Sequence, residues 1–72
     1  MTVFTVISGT HYEGESLEGI YSSLDKARVT VQLRVNAANA DIKYKKDKWT
    51  TKNNMNWVSG HNYIDIEEVQ VE

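Results

Sequence analysis

Hydrophobic and polar positions change their period several times along the chain. Residues 2–8, TVFTVIS, put Val3, Thr5 and Ile7 on one face of a strand and Phe4 and Val6 on the other. Both faces are largely apolar, which suits an interior strand, with Gly9 expected to end it. The polar stretch 9–16 carries Gly9, Gly14, Glu13 and Glu15 and reads as a loop. Residues 17–22, LEGIYS, read as a shorter second strand, close enough in sequence to form an antiparallel hairpin. Gly19 within it marks a bulge or a close backbone approach.

The period then shifts to that of a helix. Ser22 or Ser23 supplies the N-cap, and Asp25 places a negative charge in the first turn. Leu24, Ala27, Val31, Val35 and Ala38 follow at steps of three and four, making one apolar face. Asn36 and Asn39 frame the expected C-terminal end. A second stripe, Val29, Leu33, Ala37 and Ala40, lies on roughly the opposite side. Two fates are open to it. It is either covered by the lysine-rich segment or left as ordinary exposed aliphatics, or it is buried by a second copy or a partner.

Residues 41–48, DIKYKKDK, read as a surface connection or the start of a third strand. The stretch 49–58 suggests a hairpin turning at Asn53-Asn54, with Trp49 opposite Val58. A long polar loop is the alternative. Ser59–Asn62 is a turn, and YIDIEEVQV, 63–71, is the last strand. Its apolar phase runs through Ile64 and Ile66 and then flips to Val69 and Val71, so a bulge is expected at Glu67-Glu68. The sum is one α+β domain, 1–72. A small antiparallel sheet of three to five strands carries one helix across it, in the order β-β-α-(β-β)-β.

Composition narrows the chemistry. The chain has 72 residues, no Cys and no Pro, with 8 basic against 10 acidic side chains. Without Cys there is no disulfide framework, thiolate nucleophile or Cys-ligated zinc. No apolar run approaches the ~18 residues of a membrane span, and the start lacks the pattern of a signal peptide. No membrane association is expected. A net charge of −2 gives the whole chain no pull towards nucleic acid.

The run Gly19-Ile20-Tyr21-Ser22-Ser23-Leu24-Asp25-Lys26-Ala27, with the final strand opening Tyr63-Ile64-Asp65-Ile66-Glu67-Glu68, resembles a group of short bacterial and phage proteins. Their pattern is a strand ending G-[IV]-[YF]-S-S before a helix with an early acidic residue and Ala. The likeness covers about a third of the chain and departs from it between Asn36 and His61. It implies a β-β-α-β core and a bacterial or phage cytoplasmic setting. It implies no activity, cofactor or site residue.

Three constellations carry candidate chemistry. If the first and last strands are antiparallel neighbours, His11 and His61 meet at one end of the sheet beside Tyr12, Tyr63, Glu13 and Glu15. That is weak hardware for a metal or for acid–base work, since a third zinc ligand is missing. Lys43, Lys45, Lys46, Lys48 and Lys52 interleave with Tyr44, Trp49 and Trp57, the hardware of single-strand or RNA binding, though without Arg. The same lysines also suit the guarding of a sheet edge. Carboxylates gather at both ends of the chain, giving a polarised surface that steers a partner.

No nucleophile elbow or phosphate-binding glycine loop is present, and no enzyme activity or cofactor is expected. The leading expectation is a small protein-binding module. It would be a phage or bacterial accessory or inhibitor protein, for example an anti-defence factor, acting sterically in the cytoplasm. Val29, Leu33, Ala37, Trp49 and Trp57 are its candidate partner or homodimer contacts. The alternative is nucleic-acid binding through Lys43, Tyr44, Lys45, Lys46, Lys48, Trp49 and Lys52.

Overall fold

The computed structural model describes residues 1–72. Its elements are β1 (Thr2–Thr10), β2 (Gly14–Tyr21), α1 (Leu24–Asp41), a single 3-10 turn (Lys45–Asp47), β3 (Thr50–Thr51), β4 (Asn56–Ser59) and β5 (Asn62–Gln70). The strands form one five-stranded sheet in the order β2-β1-β5-β4-β3, antiparallel throughout. One helix lies on one side of it, so the fold is the expected α+β arrangement.

The central pair is β1 with β5. Their ladder runs without a break from Thr2 opposite Gln70 to Thr10 opposite Asn62. The expected bulge at Glu67-Glu68 is therefore absent. The strand keeps its alternation, and what changes after Ile66 is which face carries the apolar residues. β1 also continues through Gly9 to Thr10, and β2 begins at Gly14, leaving only His11–Glu13 as the hairpin turn. Gly9 is needed there. A Cβ at this position would lie 2.3 Å from the Gly14 carbonyl oxygen of the neighbouring strand.

The bulge sits in the first hairpin instead. Val6 faces Gly19 while Ile7 faces Leu17, so Glu18 is the extra residue. Gly19 also makes the close approach read from the sequence. Its missing side chain leaves room for the Tyr21 ring, which a Cβ would meet at 2.9 Å.

Ser23 is the N-cap, and its hydroxyl accepts from the Lys26 amide at 3.2 Å. The helix runs two residues past Asn39, where the Ile42 amide donates to the Asn39 carbonyl. Asn39 then clamps the next segment. Its side-chain amide donates to the Trp49 carbonyl at 3.2 Å, and its Oδ1 accepts from the Trp49 amide at 2.7 Å.

In the second hairpin Thr50 pairs with Val58 and Thr51 with Trp57. The expected partnership of Trp49 with Val58 is displaced by one residue, which exchanges the faces. The cause is a longer loop. Asn53 Oδ1 accepts from the amides of Met55 and Asn56, Thr51 Oγ1 accepts from the Asn54 amide, and Asn54 takes a φ of 57°.

The core is thin. Val6, Trp57, Ile64 and Ile66 of the sheet meet Ala27, Val31 and Val35 of the helix, and these seven residues are the whole buried set. Phe4, Tyr21, Leu24, Trp49 and Met55 pack around them. The molecule measures 44 × 25 × 18 Å, a slab of two layers.

Candidate functional site

Directly opposed residues of a sheet share a face, so the pairing that buries Val6, Ile64 and Ile66 sends their neighbours to the other side. Val3 and Val69 oppose each other there. Next come Ile20, Thr5 and Glu67, then Leu17, Ile7, Asp65 and Asn56. Glu15, Gly9, Tyr63 and Val58 follow towards the far end. No element covers this face. Leu17 is 58% exposed and Ile20 60%, and Val69 and Val58 are exposed as well.

The bare face divides into two halves. Over β1 and β2 it is apolar, with Val3, Ile7, Leu17 and Ile20. Along β5 it is acidic, with Asp65 and Glu67, and Glu15 adds a third carboxylate at the end. Neither β1, β2 nor β5 contains a single basic residue. All eight Lys and Arg fall between Lys26 and Lys52, on the helix, the connection and the loop after β3. The charge polarity read from the chain is thus a polarity of layers.

The sequence argument for the stripe Val29, Leu33, Ala37 and Ala40 places it correctly on the outside of the helix, opposite the core. All four are exposed, Val29 at 57% and Leu33 at 64%. The lysine-rich segment does not fold over them. The two tryptophans separate. Trp57 is 1% exposed in the core, so its candidacy as a partner contact is corrected: it packs beneath the helix. Its indole N–H is buried without an acceptor. Trp49 is half-buried against the core edge, its backbone held by Asn39. Of the basic-aromatic set, Lys43, Tyr44, Lys45, Lys46, Lys48 and Lys52 are exposed, whereas neither tryptophan stands free. Tyr44, at 67%, is the one open ring among them.

The histidines meet as the strand directions require. The His11 amide donates to the His61 carbonyl at 3.1 Å. Each imidazole packs against a tyrosine, His11 on Tyr63 with centroids 5.5 Å apart and His61 on Tyr12 at 5.2 Å. Tyr63 reaches across Gly9 to donate to Glu15 Oε2 at 2.8 Å. That bond, then partial burial and the charges of Glu15 and Asp65, raises the phenol above its ordinary 10.0. No three His, Asp or Glu side chains anywhere are grouped to hold a metal ion. No helix is long and apolar enough to cross a membrane.

No family model, curated protein or solved structure matches the chain. The bare face is the feature that strand-by-strand reasoning missed. Its signal was present in the flip from Ile64 and Ile66 to Val69 and Val71. A bulge and a change of apolar face leave the same mark in sequence.

Proposed function

We propose that this chain is a small protein-binding module that acts by covering a partner's surface, as a steric accessory or inhibitor. One observation carries the reading: a five-stranded sheet with a helix on one side and an uncovered apolar-acidic field on the other. Exposed aliphatics that adjoin one another are the usual mark of an interaction site, whereas scattered ones are ordinary. Leu17 and Ile20 on β2, beside Ile7 and Val3 on β1, are contiguous. They join the helix stripe Val29 and Leu33 as candidate contacts and rank before it, because Leu17 stands directly opposite Ile7 and Val3 opposite Val69 on the same face, although Ile20 faces Thr5. The resemblance to short bacterial and phage proteins bears only on a cytoplasmic setting; the accessory or anti-defence role rests on the bare face.

The test is capture with three baits: the wild type, Leu17→Ser/Ile20→Ser and Val29→Ser/Leu33→Ser. A partner held by the first and third and lost from the second supports the bare face. Loss only from the third bait moves the contact to the helix, and equal retention by all three removes the aliphatic fields from the reading.

A second reading is favoured by the exposed lysines Lys43, Lys45, Lys46 and Lys48, which flank the exposed Tyr44 along the connection after the helix. Single-stranded nucleic acid would lie along Lys43–Lys48 with one base stacked on Tyr44. Its affinity would fall steeply with salt and vanish in Lys45→Glu/Lys46→Glu. Only one ring is free for stacking, which places this reading second.

A further inference from the structure

We infer that the occupant of the bare face is a basic amphipathic helix of a partner protein, an inference that rests on the protein-binding reading above and names the partner's chemistry. Three observations lead there. The first is area. A folded chain of 8.2 kDa is expected to expose about 4,500 Å², and this one exposes 5220 Å². The excess of about 700 Å² accords with a two-layer slab that leaves one whole sheet face open.

The second is charge. Asp65, Glu67 and Glu15 share the field with no basic residue on β1, β2 or β5. Two copies stacked on this face by a two-fold axis would bring six carboxylates into one layer without a cation. Unpaired charge removed from water is costly. A partner with Lys or Arg flanking its apolar positions meets the same carboxylates with compensation.

The third is shape. The other face of the same sheet already holds a helix through small aliphatics at steps of four, Ala27, Val31 and Val35. The bare face offers an apolar floor on different strands, β1 and β2 in place of β1, β4 and β5. Val3, Ile7, Leu17 and Ile20 form its floor, and the acidic line of β5 runs along one side. A helix laid there would place its aliphatics over β1 and β2 and its cations over β5, turning two layers into three.

The probe is an 18-residue fluorescent helical peptide with Leu at steps of three and four and Lys elsewhere. Its controls are the same peptide with Glu for Lys and a scrambled Lys/Leu peptide. Anisotropy should show the Lys/Leu helix binding the wild type, about tenfold weaker binding to Leu17→Ser/Ile20→Ser, and weaker binding still when Glu67→Lys is added. Amide NMR shifts should concentrate on β1, β2 and β5. Equal binding of the scrambled peptide, or shifts confined to the helix side, would overturn the inference.

If the Glu peptide binds as well as the Lys peptide and the serine changes weaken both, docking stands and the basic partner falls. The basic partner also falls if the wild type is a dimer at pH 7 that the serine changes dissociate, since the occupant is then a second copy. If no peptide distinguishes wild type from Leu17→Ser/Ile20→Ser and the chain is monomeric, the docking reading fails as well.

Discussion

The two faces of the sheet are built from alternate residues of the same strands, yet they do different things. The covered face carries Val6, Ile64, Ile66 and Trp57 under the helix and contains every buried sheet residue. The bare face carries Val3, Ile7, Leu17, Ile20 and Val69 with nothing above them. The contrast separates the residues that hold the fold from those it leaves uncovered. A chain this short holds together on a single small core, so residues of the first kind should control folding. Residues of the second kind are free to serve contact.

The largest break of that comparison is Trp57→Ala. Removing a fully buried indole costs about 3–5 kcal/mol, against a whole-chain stability of roughly 4–11 kcal/mol at this length. Urea denaturation should show the variant unfolded or nearly so. Trp57→Phe should cost clearly less, because it also removes the buried N–H that lacks an acceptor. Asn39→Ala comes next. It deletes both bonds to the Trp49 backbone, one of them leaving a part-buried amide unpaired, and should cost about 1–3 kcal/mol.

On the other side of the comparison, Leu17→Ser and Ile20→Ser should each move stability by no more than about 0.5 kcal/mol, as at other exposed positions. A loss comparable to Asn39→Ala would show that the bare face contributes to the fold, and the separation of roles would collapse.

The smallest effect is a titration. The Tyr63 phenol donates to Glu15, and its raised pKa means that the neutral donor is the form the fold favours. Its contribution is complete below the unfolded value near 10 and is lost as pH climbs through the raised one. Phenolate absorbance, taken as the difference between wild type and Tyr63→Phe, should rise above pH 10. Glu15→Gln should bring that midpoint down.

Much of the covered face was legible in sequence. Leu24, Ala27, Val31 and Val35 follow the helical period, Ser23 is a ready cap, and the reversals of direction alone bring His11 beside His61. The bare face was not legible for two reasons. The change of phase after Ile66 has two causes that look alike in sequence, and only the register of β5 against β1 distinguishes them. The loop after Thr51 uses Asn53 and Thr51 side chains to span one residue more than a tight turn would. That single residue decides which of Thr50 and Thr51 shares a face with Trp57, whose own direction is set by its pairing with Ile64. Local chemistry of this kind is shared by loops of several lengths, so the alternation of Thr50, Thr51, Trp57 and Val58 had no fixed origin until the pairing was known.

The unbroken β1–β5 ladder also has a consequence in time. Its partners stand between 52 residues apart, Thr10 with Asn62, and 68 apart, Thr2 with Gln70. The β1–β2 hairpin and the helix are available early, but the core that both share needs Ile64 and Ile66. Entropy of long-loop closure must be overcome before those contacts give anything back, which slows folding relative to chains with local pairing. During synthesis, β1 emerges long before its central neighbour. Until β5 arrives, Val6 and its flanking aliphatics have an open strand edge on one side, and the chain depends on the speed of that last pairing to avoid pairing elsewhere.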